Sequence, residues 1–206
     1  MKEIVIVDYN LGNITSIQRA LSYLGYKSLI TNDPEKIARS EKIILPGVGA
    51  FPTAMKYLQK YNLVEALNET VKKGNHILGI CLGMQLLMQS SNEFIKTKGL
   101  SFINGEVISI NDMLKDKTKL PCIGWYKLNK TKKNAILEKI HENQWFYFVH
   151  SYMVNCKEKK DILADYSINN FSITAIIKKE NITGLQFHPE NSGLEGLKFF
   201  DNFCKY

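Results

Sequence analysis

The chain has 206 residues, of which 45% are hydrophobic and 23% are charged. This length and composition predict one globular domain over 1–206 and exclude disordered, collagen-like and coiled-coil chains. No apolar run reaches the about 18 residues that a membrane helix needs, and the short apolar stretch near the N-terminus runs directly into Asp8. We therefore expect no signal peptide and a cytoplasmic protein.

The net charge of +7 comes from 27 basic and 20 acidic residues, but only Arg19 and Arg39 are arginines. Arginine makes the bidentate contacts to phosphates and guanines, and the lysines here are scattered along the chain. We interpret the charge as a solvated surface and expect no nucleic-acid partner. The four cysteines, at positions 81, 122, 156 and 204, form no Cys-x-x-Cys pair. They predict free thiols and no metal site.

Short apolar runs alternate with helical patterns through the first half of the chain. Strands are predicted over 4–7, 27–31, 42–45 and 76–80, and helices over 14–24, 52–61, 63–73 and 82–89. A further short helix begins at Asp33 and Pro34. In the second half, strand-like runs occupy 105–110, 146–149, 171–178 and 182–187, and a last helix occupies 194–204. These patterns predict an α/β fold with a mixed, mostly parallel open sheet flanked by helices and an antiparallel extension.

The clearest chemical signal is Gly79-Ile80-Cys81-Leu82-Gly83, between a predicted strand and a predicted helix. A nucleophile on such a tight turn takes strained backbone angles, and the residues two before and two after it crowd together, so both must be glycine. The helix N-terminus favours the thiolate of Cys81, and the N–H of Leu82 points to where an oxyanion would form. The alternative is a buried cysteine beside two turn glycines.

A thiolate nucleophile that expels an amine needs an acid–base partner. His188-Pro189-Glu190 follows the strand-like run over 182–187. Residues two apart in an extended segment project to the same side, so Glu190 could hold the His188 ring in one tautomer. His150, at the end of an aromatic strand, is the first alternative.

A third segment, Pro46-Gly47-Val48-Gly49, follows the strand over 42–45. Glycines at the C-terminal end of a strand let the backbone approach a ligand, and doubly wound sheets bind ligands at that edge. The loop could donate a second N–H to an oxyanion. It could also be a plain strand-to-helix turn, and it is not a phosphate loop, because no Gly-Lys-Ser/Thr follows.

The segment Gly79-Ile80-Cys81-Leu82-Gly83-Met84-Gln85, together with His188-Pro189-Glu190, resembles the class I (triad) glutamine amidotransferases. Flanking segments are similar to the glutaminase subunit of imidazole glycerol phosphate synthase, and the similarity spans nearly the whole chain. These segments are Asp8-Tyr9-Asn10-x-Gly12-Asn13, Pro46-Gly47-Val48-Gly49-Ala50-Phe51, Gly124-Trp125 and Phe148-Val149-His150-Ser151-Tyr152.

The resemblance implies the class I glutamine amidotransferase fold and hydrolysis of L-glutamine to L-glutamate and ammonia. The ammonia would pass to a (β/α)8-barrel cyclase subunit in a heterodimer. That synthase makes imidazole glycerol phosphate and the carboxamide ribonucleotide AICAR in histidine biosynthesis. The resemblance implies no metal and no organic cofactor.

The resemblance also implies roles for individual residues. By position, Cys81 matches the nucleophile, His188 the acid–base and Glu190 its orienting carboxylate. The oxyanion hole matches Leu82, Val48 and Gly49, and the glutamine-binding positions match Gln85, Glu93, Ser151 and Tyr152. Gln85 and Glu93 would share one helix face only if that helix continued past Ser91.

Three positions depart from the family pattern. Cys122 stands where histidine is usual, Tyr126 where asparagine is usual and Asn191 where lysine is usual. They leave open a paralogous glutaminase whose synthase partner amidates another acceptor, such as a surface sugar. A cysteine hydrolase that acts alone and a binding module with a vestigial site are the remaining alternatives.

Overall fold

The computed structural model describes residues 3–114, 118–130, 132–141 and 143–205. The strands are β1 (Ile4–Val7), β2 (Ser28–Thr31), β3 (Lys42–Leu45), β4 (His76–Ile80), β5 (Met88–Ser91), β6 (Thr97–Lys98), β7 (Ile103–Ser109), β8 (Cys122–Lys127), β9 (Asn129–Lys130), β10 (Trp145–His150), β11 (Tyr152–Cys156), β12 (Ile162–Ile168), β13 (Phe171–Lys179) and β14 (Ile182–Leu185). The α-helices are α1 (Ile14–Tyr23), α2 (Pro34–Arg39), α3 (Phe51–Lys60), α4 (Leu63–Lys72), α5 (Leu82–Leu86) and α6 (Gly193–Lys205). Within these described ranges, no helix combines the length and apolar character needed to cross a bilayer.

Eight strands form the main sheet, in the spatial order β2, β1, β3, β4, β14, β13, β12, β9. The first five run parallel to their neighbours, and the pairs from β14 onward are antiparallel. The predicted α/β class, with a mostly parallel sheet and an antiparallel extension, is confirmed. Two smaller sheets, β10–β8 and β11–β7–β5–β6, go beyond what the sequence patterns predict.

The main sheet is buried on both faces because its parallel strands are apolar at successive positions. In β1, Ile4 and Ile6 belong to one hydrophobic cluster with residues of α1 and α6. Val5 and Val7 belong to a second cluster with residues of α3 and α4. Successive residues of a strand point to opposite faces, so the two clusters lie on opposite sides of the sheet. This two-sided burial is typical of parallel strands.

Local signals place several element ends correctly. Asp33 caps α2, and its carboxylate accepts hydrogen bonds from the N–H groups of Glu35 and Lys36. Gly25, after α1, has a φ of +82°, the left-handed conformation that favours glycine at a helix end. The strands predicted over 4–7, 42–45 and 76–80 coincide with β1, β3 and β4.

The helix predicted over 82–89 is wrong at its C-terminal end. α5 ends at Leu86, and Met88–Ser91 form β5, which pairs with β7 and β6. The N–H of Leu100 donates to the Leu86 carbonyl at 2.9 Å, so a tertiary contact occupies an acceptor that a continuing helix would use. Glu93 therefore follows a strand and not a helix.

Candidate active site

Cys81 forms a sharp turn between β4 and α5. Its backbone angles, φ 53° and ψ −111°, lie outside the regions that a non-glycine residue ordinarily adopts. Such strain is what the sequence predicts for a nucleophile elbow. The N–H of Cys81 donates to the Leu185 carbonyl at 2.7 Å, which fixes the turn against the adjacent strand β14.

The two glycines of the elbow are required by close backbone approaches. A β-carbon on Gly79 would lie 2.6 Å from the carbonyl oxygen of Gly83, the crowding that the sequence predicts. A β-carbon on Gly83 would lie only 1.9 Å from the carbonyl oxygen of Leu45 in β3. Neither distance leaves room for a side chain. The tighter approach is to the neighbouring strand, so the elbow is held against β3 as well as against itself.

His188 and Glu190 form a buried pair close to Cys81. His188 Nδ1 lies 2.9 Å from Glu190 Oε1, and the two side chains are 5% and 1% exposed. Burial alone lowers the pKa of His188, but the hydrogen bond with Glu190 and the influence of Cys81 and Glu190 outweigh burial and raise that pKa above its ordinary range. The protonated imidazolium is therefore the favoured form of His188.

The extended geometry expected for this pair is wrong. β14 ends at Leu185, and Pro189–Asn191 form a 3-10 turn. The backbone N–H of His188 donates to the Tyr147 carbonyl at 3.0 Å, which holds the residue before the turn. The 3-10 turn, rather than an extended strand, places the Glu190 carboxylate against the His188 ring.

A cavity of about 640 Å³ opens at the C-terminal end of the parallel strands. Its volume lies in the range of small-molecule sites. It brings together every residue that the sequence analysis assigns to the oxyanion hole or to glutamine, with Cys81 and His188. These residues are Val48, Gly49, Cys81, Leu82, Gln85, Glu93, Ser151, Tyr152 and His188. Glu190 does not line the cavity and contacts the His188 ring at Nδ1.

Gln85 and Glu93 reach the cavity from different elements. Gln85 Nε2, on α5, donates to the Tyr152 carbonyl at 3.0 Å. Glu93 follows β5, and its Oε2 accepts from the N–H of Phe51, the first residue of α3, at 2.7 Å. Burial raises the pKa of Glu93, and the Phe51 N–H lowers it in part. A cationic group in the cavity would restore the charged form of this carboxyl group.

The loop over 46–49 is fixed at one end and open at the other. The buried hydroxyl of Tyr9 donates to the Pro46 carbonyl at 2.5 Å, and a β-carbon on Gly47 would lie 2.6 Å from that hydroxyl. Gly49 has a φ of +105°, and no neighbouring atom lies within 4 Å of where its β-carbon would be. Val48 is exposed. The peptide between Val48 and Gly49 therefore has room to turn.

His150 lines the same cavity, but both of its ring nitrogens are occupied. Nδ1 lies 2.7 Å from the Tyr152 carbonyl and Nε2 lies 2.7 Å from the Tyr166 hydroxyl. A carbonyl only accepts, so Nδ1 carries the proton and Tyr166 donates to Nε2. Burial lowers the pKa of His150 to about 4, although the Tyr152 carbonyl opposes this. The geometry favours His188 over His150 as the acid–base.

Gln186 is a cavity neighbour that the sequence patterns do not predict. Its side chain is fully buried, and its Nε2 lies 3.7 Å from Cys81 Sγ. Its Oε1 accepts from Gln85 Nε2 at 3.1 Å. The signal in the sequence is a lone amide in an apolar strand-like run, two residues before His188. That signal indicates a special position but not which side chain it contacts.

The similarity to known proteins runs along the whole chain. The family model described as "Glutamine amidotransferase class-I" matches residues 5–205. This chain belongs to the class-I glutamine amidotransferase family. As a member, it is a glutamine amidotransferase, and the resemblance drawn from its motifs is confirmed.

Relatives with high identity align with this amidotransferase from end to end. "Imidazole glycerol phosphate synthase subunit HisH" of Lactococcus lactis is 44% identical over 205 residues, which cover 100% of this chain and 99% of the relative. "Imidazole glycerol phosphate synthase subunit HisH 2" of Methanococcus maripaludis is 43% identical and covers 98% of each chain. The subunit HisH of Sulfurimonas denitrificans is 42% identical with the same coverage.

Solved structures share the fold of this amidotransferase at lower identity. A crystal structure titled as a glutamine amidotransferase has a TM-score of 0.76 at 17% identity, covering 98% of this chain and 97% of that chain. PurLQS from Thermotoga maritima has a TM-score of 0.76 at 18% identity, covering 100% and 99%. At these identities the likeness concerns the fold alone, and it confirms the class I glutamine amidotransferase architecture.

The three departures from the family pattern differ in exposure. Cys122 is buried. Tyr126 is half-buried, with its ring centroid 5.8 Å from that of Phe148 and 4.9 Å from that of Tyr166. Asn191 is exposed, in the turn after His188. Packing inside this amidotransferase therefore involves Cys122 and Tyr126, whereas Asn191 is on the surface.

Proposed function

We propose that this chain is the glutaminase subunit of an imidazole glycerol phosphate synthase. It hydrolyses L-glutamine to L-glutamate and ammonia and delivers the ammonia to a (β/α)8-barrel cyclase subunit, which makes imidazole glycerol phosphate and AICAR for histidine biosynthesis. The observation that carries the proposal is one cavity that joins Cys81, His188 and the candidate glutamine-binding side chains. It occurs in a chain 44% identical, over its whole length, to a protein of that name.

Cys81 is the nucleophile of the reaction. Its sulfur attacks the side-chain amide carbon of glutamine, a C–S bond forms, and the carbonyl electron pair moves onto oxygen. His188 gives its proton to the departing nitrogen, so ammonia leaves and a thioester remains. His188 then takes a proton from water, the hydroxide attacks the thioester carbon, and glutamate leaves as Cys81 regains its electron pair. Glu190 keeps the His188 ring oriented and supports its charge throughout.

The oxyanion of each tetrahedral intermediate is held by backbone N–H groups. The first donor is Leu82, at the start of α5, and the second is the Val48–Gly49 peptide. One such donor is worth about 10²–10³-fold in rate. Because Tyr9 holds the loop at Pro46 while Gly49 stays open, the outer peptide can turn its N–H towards the cavity without moving the rest of the loop.

Glu93 binds the ammonium group of glutamine in this proposal. Its carboxyl group is buried in the cavity wall, and one of its oxygens is already held by the Phe51 N–H. An incoming cation stabilises the charged carboxylate, whose desolvation is otherwise costly. Gln85 and the backbone edge at Ser151 and Tyr152 hold the remainder of the amino acid.

An exposed apolar surface supports a protein partner. Ile123, Trp125 and Trp145 are 58%, 49% and 52% exposed, and the pairing of β8 with β10 places them on one face of this two-stranded ribbon. Clustered large apolar side chains at a surface are typical of a docking site. The end of the same ribbon, at Val149 and His150, lines the cavity. A synthase docked there receives ammonia close to where it is released.

The test is a glutaminase assay on the purified chain, alone and co-expressed with a cyclase, with the acceptor nucleotide present. We expect slow hydrolysis by the isolated chain and a gain of at least about a hundredfold in the complex, the scale of one oxyanion donor. Cys81→Ser in the same complex is the inactive control. Full activity of the isolated chain would contradict the partner and favour an amidase that acts alone.

A synthase that amidates another acceptor, such as a surface sugar, is the second candidate, and Asn191 favours it. Asn191 is exposed and uncharged, so an ionic contact with a cyclase is absent at this point. A binding titration of the wild type and Asn191→Lys against a histidine-pathway cyclase separates the two. Tighter binding of the variant supports the cyclase, and no binding of either protein supports another acceptor.

A further inference from the structure

We propose that Gln186 is a catalytic residue that donates a hydrogen bond to the sulfur of Cys81 and stabilises its thiolate. The inference rests on the proposed role of Cys81 as nucleophile. Gln186 directly follows β14, its side chain is fully buried, and its Nε2 lies 3.7 Å from Cys81 Sγ. The contact joins the reacting atom to a residue outside the triad.

The orientation of the Gln186 amide is fixed by partners that allow only one polarity. The Tyr152 carbonyl only accepts, so the amide nitrogen of Gln85 must face it, at 3.0 Å. The same nitrogen lies 3.1 Å from Gln186 Oε1. Gln186 must therefore present its oxygen to Gln85 and its nitrogen to Cys81. His150 Nδ1 donates to the same Tyr152 carbonyl at 2.7 Å, which anchors the start of this chain of hydrogen bonds.

Two neighbours act on the Cys81 sulfur in opposite directions. The Val149 carbonyl lies 3.9 Å from Sγ and accepts a hydrogen bond from the thiol alone, so it favours the protonated form. The Gln186 N–H is a donor, and its bond strengthens when charge develops on the sulfur. Cys81 is only 7% exposed, so water weakens neither contact much. Removing the Gln186 donor therefore takes away a contact that favours the thiolate and leaves the Val149 carbonyl, which favours the thiol, in place.

Among the described residues, His188 and Tyr9 are titratable groups that face Cys81. His188 comes from the turn after β14 and supplies a positive charge beside the sulfur. Tyr9 comes from the loop after β1, and burial, with a contribution from Cys81, raises its pKa so that it stays neutral. Gln186 does not titrate. It therefore adds no inflection of its own to a pH profile of Cys81.

The test is the pH profile of Cys81 alkylation by iodoacetamide, followed by mass spectrometry of the peptide that carries Cys81. Gln186→Met and Gln186→Leu both remove the donor but differ in shape. We expect both to raise the midpoint of alkylation by about one pH unit, and to lower the rate below the midpoint about tenfold. If one of these two variants does not fold, the alkylation midpoint of the other still tests the proposal.

The matched control is Thr70→Val. The buried Thr70 hydroxyl in α4 donates to the carbonyls of Ile37 and Ala66, so this variant also loses buried hydrogen bonds, but at a residue that does not line the cavity. Its alkylation midpoint should equal that of the wild type. A midpoint unchanged in a folded Gln186 variant, or one shifted equally in Thr70→Val, would overturn the proposal.

The alkylation assay needs no glutamine, so it separates this inference from the proposed function. A shifted midpoint in a chain that never hydrolyses glutamine would support Gln186 and remove the glutaminase. Efficient glutamine hydrolysis with an unshifted alkylation midpoint would support the glutaminase and overturn the role of Gln186. In the active complex, we expect the Gln186 variants to lose kcat at low pH with little change in KM, whereas a displaced Gln85 would change KM at every pH.

Discussion

The carbonyl oxygen of Leu45 in β3 lies 1.9 Å from where a β-carbon of Gly83 would be. Helix α5 therefore rests on β3 backbone to backbone at the point where the Cys81 elbow ends. The contact is between main-chain atoms, which cannot rotate away as the end of a side chain can. Position 83 thus ties the geometry of the elbow to the stability of the whole sheet.

Gly83→Ala should destabilise the fold by about 3 kcal/mol, the upper end for overpacking a core. Gly74→Ala is the control, because Gly74 has a φ of +78° and open space where its β-carbon would be. That substitution should cost only about 1 kcal/mol of backbone strain. Urea unfolding of both variants measures the difference, and equal losses would contradict the close contact with Leu45.

Cys81→Gly should be more stable than Cys81→Ala by about 1 kcal/mol. Both variants lose the sulfur, but only alanine keeps a β-carbon at φ 53°, and non-glycine residues in such conformations carry about 1–3 kcal/mol of strain. The greater freedom of glycine in the unfolded chain offsets part of that relief. Thermal and urea unfolding test this. Greater stability of the alanine variant would argue against strain at the elbow.

His188→Asn should reduce the single-turnover rate of glutamine hydrolysis by about 10²–10⁴-fold, the usual contribution of a general acid–base. Glu190→Gln should reduce it less, because the proton carrier remains. Glu190→Gln should also lower the pKa of His188, since the Glu190 carboxylate helps to raise that pKa. Rapid-quench rates measured across pH give both quantities. An unchanged rate for His188→Asn would move the acid–base role to another residue.

His150 should make the protein less stable as the pH falls. Its ordinary pKa is 6.5, and burial lowers its pKa in the fold to about 4. Between about pH 6.5 and about pH 4, His150 is therefore protonated in the unfolded chain but neutral in the folded chain. The free energy of unfolding should therefore drop by about 2 kcal/mol from this group between pH 7 and pH 5. Urea unfolding of the wild type and His150→Gln at several pH values measures how steeply the free energy of unfolding of each protein depends on pH.

Between pH 7 and pH 5, the free energy of unfolding of His150→Gln should fall by about 2 kcal/mol less than that of the wild type. His141→Gln is the control, because His141 is exposed, and its slope should match the wild type. Parallel slopes for the wild type and His150→Gln would mean that His150 is protonated in the fold as easily as in the unfolded chain.

Sequence reasoning succeeds where the signal is local. The buried run His76–Ile80 becomes β4 residue for residue, because the turn before it and the elbow after it bound it on both sides. The start of α2 is also predicted correctly, because the Asp33 cap involves only the next three residues. The Cys81 elbow and the 46–49 loop follow from the same logic, because the C-terminal ends of parallel strands meet at one edge. Gln85, Glu93, Ser151 and Tyr152 are instead predicted from the family resemblance.

The rest depends on contacts between distant segments. The apolar spacing over 82–89 suits a helix, and only the pairing of Met88–Ser91 with β6 and β7 makes its end a strand. The contact between Gln186 and Cys81 joins positions 105 residues apart. The hydrogen bond from Tyr166 to His150 likewise joins two strands that no local pattern relates. Local periodicity carries no information about such pairings.

Strand β14 lies between β4 and β13 in the main sheet, although it comes after every other described strand along the sequence. Without Ile182–Leu185, the four parallel strands and the antiparallel strands of the main sheet therefore have no strand that joins them, and β4 and β13 each have an open edge. The N–H of Cys81 then lacks the Leu185 carbonyl that receives it. A nonsense mutation before β14 should yield an aggregating product rather than a weakened enzyme. Thiol reactivity at the elbow should consequently require that Ile182–Leu185 is already paired with β4.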